Sequence, residues 1–202
     1  MKLQLNEKMQ GDFPVVIPAW EDFDLNEIKK LLPAGIFKVL EAWISKNEFS
    51  WKKDAIDNIN FNNGKEEKNI ILIGMGKCKE NLNYKSLQTL FAKIYNVASS
   101  KKFKEINVIA DHVMTQFENT EEFIRLAAQT FTECSYVFDT FKEKKNEYQL
   151  AKVILIGEQT VESLPLVVQK GLRFGEAVNV AKQLVNEPAN ETVQGFHCFA
   201  LI

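Results

Sequence analysis

Gly74-Met75-Gly76-Lys77 follows the apolar run Ile70–Ile73 and precedes a helical pattern, a place where backbone amides can cradle phosphate. The spacing lacks the third glycine of a dinucleotide fingerprint and the hydroxyl residue that ends a P-loop. The same glycines serve equally well as a tight exit from a strand, so Gly74 to Lys77 is not assigned a nucleotide. His112 and His197 are the two imidazoles. Neither has a second His or Cys at metal-ligand spacing, since Cys198 only adjoins His197. Asp111-His112 has the form of half a catalytic relay, but no serine sits in a GxSxG elbow, and adjacency in sequence does not make a triad. The plain reading of His112 is a loop residue after a strand. Carboxylates such as Asp54, Asp57, Glu66 and Glu67 fall on a polar segment where solvation accounts for them. No residue of the chain is nominated as catalytic, cofactor-binding or metal-ligating.

Two other groupings have physical content. Lys101, Lys102 and Lys104 surround Phe103 in the densest basic cluster, which reads as a solvated helix end rather than a phosphate-binding face. Gly171 and Gly175 are one turn apart in a helical stretch, where each costs roughly 1 kcal/mol against alanine. Close approach of that helix to another backbone would offset the cost.

The 202 residues are 46% hydrophobic, enough for a sizeable core, and 25 basic against 27 acidic residues leave a net charge of −2. Such a balance gives no overall pull toward nucleic acid or anionic lipid. No window approaches the length of a membrane span, and Met1 to Glu7 lacks the apolar core of a signal peptide; the expectation is a cytoplasmic protein. Cys78, Cys134 and Cys198 are odd in number and far apart, which suggests reduced thiols.

Alternating elements must position these groups. Phe13–Ile17 predicts a strand near a sheet edge because prolines flank it. Asp24 and Glu27 form a capping pattern before a short helix that Pro33 stops, and a second helix carries Ile36, Val39, Leu40, Trp43 and Ile44. Residues 47–68 turn polar, as a loop or hairpin with Asn62-Asn63-Gly64 at its turn. Ile70–Gly74 and Val153–Gly157 are uninterrupted apolar runs, expected as central strands covered on both faces. Between them lie a helix through Leu87, Leu90, Phe91 and Ile94, a strand at Ile106–Ala110, a helix capped by Asn119, and a strand at Tyr136–Phe138. A last helix runs from about Ser163 to Asn186. The pattern is α/β in three layers, with a mostly parallel, mixed central sheet flanked by helices. Lys142-Glu143-Lys144-Lys145 reads as a solvated turn.

The stretch Gly175–Asn190, with Leu184-Val185-Asn186-Glu187-Pro188-Ala189-Asn190 at its core, resembles the segment that closes the amino-terminal domain of leucyl (cytosol) aminopeptidases. Ile71–Lys77 and Tyr136–Lys142 resemble two upstream motifs of that domain, in the same order. The resemblance implies a macro-domain-like fold over residues 1–187 and a truncated interdomain linker or tail at 188–202. It also implies a non-catalytic assembly or regulatory role. Two divalent metals, zinc or manganese, belong to the family's catalytic domain, and its Asn-Thr-Asp-Ala-Glu-Gly-Arg segment has no counterpart here. The chain is therefore expected to be inactive alone, with no cofactor of its own. Expected partners are further copies of itself or aminopeptidase subunits, with Phe196, Phe199, Leu201 and Ile202 as an apolar tail. A macro-like module for nucleotide or ADP-ribose, or a DNA-binding module, is the alternative reading.

Overall fold

A computed structural model describes residues 1–9, 11, 13–62, 67–77, 82–117, 119–143 and 148–188. Six strands form one sheet: β1 (Lys2–Asn6), β2 (Val15–Ala19), β3 (Ile56–Asn62), β4 (Glu67–Gly74), β5 (Glu105–Ile109) and β6 (Lys152–Ile156), in the order β1-β6-β5-β2-β4-β3. Every pairing is parallel except β3 with β4, so the sheet is mixed and mostly parallel. Its helices are α1 (Ala34–Asn47), α2 (Tyr84–Ser100), the short α3 (Asp111–Met114), α4 (Thr120–Cys134) and α5 (Leu164–Asn186), with a 3₁₀ turn at Leu25–Ile28.

Strand alternation divides the core into two apolar layers. Val16, Ile71, Ile73, Val108, Val153 and Leu155 face α2 and α4, with Leu87, Phe91, Phe123 and Phe131 between. Val15, Ile17, Ile70, Leu72, Ile154 and Ile156 face the 3₁₀ turn and α1. Helices thus cover both faces, which is why β4 and β6 carry unbroken apolar runs. Local signals set the helix starts. The Asp24 carboxylate accepts the Asn26 amide at 2.9 Å, Asn83 and Ser86 form a reciprocal capping box on α2, and the Asn119 side chain accepts the Glu122 amide at 3.0 Å.

Several expectations change. The strand expected at Phe13–Ile17 begins at Val15 and is internal, lying between β5 and β4. A proline is tolerated there because β2 pairs with β5 only through Val15 and Val16, and Pro18 lies where the two strands have parted. The apolar runs in β4 and β6 are each second from an edge; β5 and β2 hold the middle. Although β4, α2 and β5 follow one another, β2 lies between the two strands. Tyr136–Phe138 is not a strand. The free side of β6 is taken by β1, and Tyr136 instead accepts from Asn186 and donates to Gln183 of α5 through its hydroxyl. β1 itself was not anticipated, although Leu3 and Leu5 alternate with polar neighbours. The turn residues Asn63 and Gly64, and Lys144-Lys145, lie outside the described residues.

The account of Gly171 and Gly175 as a point of close approach holds. A Cβ on Gly171 would collide with the carbonyl oxygen of Arg125 and come within 2.7 Å of Ala128 Cβ. One on Gly175 would lie 2.6 Å from Thr132 Cβ. The two glycines let the α5 backbone lie directly on α4.

Candidate functional site

In open α/β sheets, ligands enter at the carboxyl ends of the strands, where neighbouring strands send their connections to opposite faces. Here that place lies between β2, which leads to the 3₁₀ turn and α1, and β5, which leads to α3 and α4. The strands separate beyond Val16 and Val108, and the chain's own side chains fill the gap. His112 is 5% exposed, and its Nε2 lies 2.5 Å from the carbonyl oxygen of Pro18. That contact fixes the neutral tautomer with the proton on Nε2. Phe23 lies against the imidazole at 4.4 Å between ring centroids, Trp20 meets it edge-on at 5.9 Å, and Trp51 meets Phe23 edge-on at 6.1 Å. Burial pushes the His112 pKa down to about 4, against the smaller opposing effects of the Pro18 carbonyl and Asp111. The imidazole is therefore an uncharged plug at neutral pH.

Asp111 and His112 do not form a relay. Asp111 Oδ1 accepts the Glu158 amide at 2.7 Å, holding the exit of β6, while His112 turns to β2. His112 is also not a loop residue, since α3 carries it into the core. Sequence reasoning passed over Trp20, Phe23 and Trp51; their clustering near strand ends was the available signal.

The Gly74–Lys77 turn is built for backbone contact. Gly74 N–H donates to Ala55 O at 2.7 Å, Met75 N–H to Ala19 O at 2.8 Å, and Gly76 N–H to Trp51 O at 3.0 Å. Amides committed in this way cannot also cradle a phosphate. A Cβ at Gly74 would lie 2.8 Å from the Trp51 carbonyl carbon, and Gly76 has φ +82 with Lys53 close by. Close packing against residues 51–55 thus accounts for both glycines. Beside the turn, a cavity of about 360 Å³ is bordered by Lys53, Asn83, Lys85, Ser86 and Lys93, with Lys93 paired to Asp54. Its chemistry is that of a basic surface recess; its lining offers no nucleophile with an adjacent base.

Lys101 caps α2 and Lys102 takes the left-handed conformation after it, at φ 57. Phe103 N–H returns to Ala98 O at 2.9 Å, a helix-ending turn in which the lysines face the negative end of the helix. Cys134 carries a free, half-buried thiol that burial holds protonated by raising its pKa. His197, Cys78, Cys198 and the tail residues Phe196, Phe199, Leu201 and Ile202 lie outside the described residues. Among the described residues, no three His, Cys, Asp or Glu side chains converge to hold a metal ion, and no helix is long and apolar enough to cross a membrane.

The fold and its closed crest define a doubly covered α/β scaffold whose sequence-adjacent polar groups serve packing. The chain belongs to the cytosol aminopeptidase family, whose N-terminal domain model matches residues 16–145. Among solved structures, it is similar to a mutant of tomato leucine aminopeptidase, with TM-score 0.71 and 19% identity over 94% of this chain and 39% of that one. It is also similar to the bottromycin maturation enzyme BotP, with TM-score 0.61 and 16% identity over 88% of this chain and 34% of that one. BotP in complex with Mn gives TM-score 0.60 and 15% identity over 89% and 33%. The chain spans about two fifths of the tomato enzyme and a third of BotP.

Proposed function

We propose that this chain is a non-catalytic assembly or regulatory domain of a cytosol aminopeptidase-like protein and hydrolyses no peptide alone. The observation that carries the reading is the closed crest. The position where this architecture would present a substrate is occupied by Trp20, Phe23 and His112, and His112 is spent on Pro18. Two-metal hydrolysis needs several carboxylates converging on paired ions. The described residues do not fit such a group: Asp111 is committed to the Glu158 amide and Asp54 to Lys93. In this reading residues 1–187 form the domain, and 188–202 are an interdomain linker or tail. The purified chain is expected to leave leucine p-nitroanilide uncleaved in the presence of manganese or zinc. Chelator-sensitive turnover that stays with the chain through purification would defeat the proposal.

A second reading, binding of a small anionic ligand such as ADP-ribose, is favoured by the recess lined by Lys53, Lys85 and Lys93. The committed amides of residues 74–76 weigh against it. Titration calorimetry with ADP-ribose separates the two readings, because the assembly role predicts no heat of binding.

A further inference from the structure

Lys85, Thr89 and Lys93 recur at intervals of four on α2, which sets them in one row along the helix. Lys53 stands across from that row, on the segment packed against Gly76. The recess they border has Ile73, Met75 and Leu90 as its apolar lining. Among the described residues, its three ammonium groups are met by one carboxylate, that of Asp54 on Lys93. The result is a local excess of two positive charges in a chain whose net charge is −2. Helix stability does not account for Lys85. It lies in the first turn of α2, where the helix dipole disfavours a cation and no acidic residue offsets it. The capping box of Asn83 and Ser86 already closes that helix end, so the recess offers side-chain charge rather than helix amides. A second recess adjoins the first through Lys53, Met75 and Ser86, which line both. It adds Trp20 and Leu82 as apolar wall, and its further charges, Glu21 and Lys77, cancel.

We infer that the two recesses form one site for a small phosphomonoester, with its dianionic head among Lys53, Lys85 and Lys93 and its apolar body against Met75 and Leu82, toward Trp20. The charge excess selects the head. A carboxylate would neutralise half of it, whereas a terminal phosphate carries close to two negative charges and three acceptor oxygens, enough for several ammonium groups acting as point charges. The balanced, partly apolar second recess selects the body. At about 360 and 420 Å³, the pair is of the size that holds a small molecule. Asp54 competes with the head for Lys93, so binding exchanges one anionic partner of that lysine for another. The inference rests on the small-anion reading of this recess and narrows it, and it is independent of the assembly role. ADP-ribose lacks a terminal dianion, because each of its phosphates is linked on two sides and carries one charge.

The test is titration of the full, nitrogen-15-labelled chain with phenyl phosphate, followed by amide chemical shifts. A dissociation constant of about 0.1–1 mM is expected for so small a ligand, with the largest shifts at Lys53, Met75 and Ser86. Inorganic phosphate, which has the head without the body, should bind about tenfold more weakly. Lys53→Glu and Lys85→Glu should each weaken phenyl phosphate about tenfold or more. Both lysines are exposed, so thermal melts of these variants should match the parent and separate lost binding from lost folding. Asp54→Asn should tighten binding about threefold by releasing Lys93, and asparagine tolerates the left-handed backbone there, at φ 70. Lys101→Glu makes the same change of charge at the far end of α2 and should leave the affinity within about twofold. No shifts with phenyl phosphate up to about 10 mM overturns the proposal, as does a loss in Lys101→Glu equal to that in Lys85→Glu, which would mark general attraction. ADP-ribose or duplex DNA binding more tightly than phenyl phosphate overturns it too, assigning the lysines to a different anion. Turnover of leucine p-nitroanilide would defeat the non-catalytic reading and leave this site standing.

Discussion

Pro18 has no amide hydrogen, and its carbonyl oxygen points into the gap where β2 and β5 part. His112 supplies the missing donor from 94 residues away. With its folded-state pKa held near 4 and an unfolded value near 6.5, the imidazole takes up a proton on unfolding throughout the interval between them. Its contribution to stability is therefore complete above about pH 6.5 and is lost as the pH falls toward 4, a total on the order of 3 kcal/mol. Urea unfolding at pH 7 and pH 5 should show the parent weaker at pH 5, with about 2 kcal/mol of the difference due to this residue. His112→Leu should remove that share, while costing about 1–3 kcal/mol at pH 7 for the Pro18 oxygen left without a partner. An equal difference between the two pH values in parent and variant would show that the imidazole is not the buried neutral group. The Asp111-His112 pair was visible in the sequence, where it was set aside as a relay and nominated for no site. Its true partners were not, because the Pro18 carbonyl and the Glu158 amide are brought near only by the pairing of distant strands.

Among the elements, α5 shows most plainly what periodicity reveals and what it leaves out. Its extent was readable from the recurrence of apolar residues, and the cost of Gly171 and Gly175 already implied a close neighbour. Which helix that neighbour would be depended on packing, and it is α4. Gly171→Ala gains about 1 kcal/mol of helix propensity but drives a methyl group into the Arg125 carbonyl. Overpacking against a backbone that cannot swing aside costs about 1–3 kcal/mol or more, so net destabilisation of about 1–2 kcal/mol is expected. Gly35, with nothing within 4 Å of its Cβ position, is the control. Gly35→Ala should be neutral or stabilise by up to about 1 kcal/mol, and denaturant midpoints with the same sign for both variants would contradict the packing account. The strand expected at Tyr136–Phe138 failed for the opposite reason. Three residues of high β propensity become a strand only where they can pair with a neighbour; β1 holds the free side of β6, and Tyr136 is tied to α5 instead.

At the level of the whole molecule, the three layers and the mixed sheet followed from alternating apolar runs and helical stripes, whereas the order of strands did not. Composition identifies which segments are buried on two faces; it does not say that the segment nearest the amino terminus will flank β6. That placement has a consequence for the integrity of the sheet. β1 is joined to β6 from Lys2 opposite Lys152 to Asn6 opposite Ile156, and Val153, Ile154 and Leu155 are buried on both faces. Deleting residues 1–6 should lay bare a flat apolar border of the kind that recruits strands from other molecules. Aggregates scattering light at concentrations where the parent stays clear would be the sign; a clear, unaggregated variant would mean that β1 is dispensable as a shield. During synthesis β1 must also wait about 150 residues for its neighbour, a separation that makes such closure slow. Until residue 156 has left the ribosome, the nascent sheet has no finished margin on that side, and this is the interval in which a chaperone would matter most.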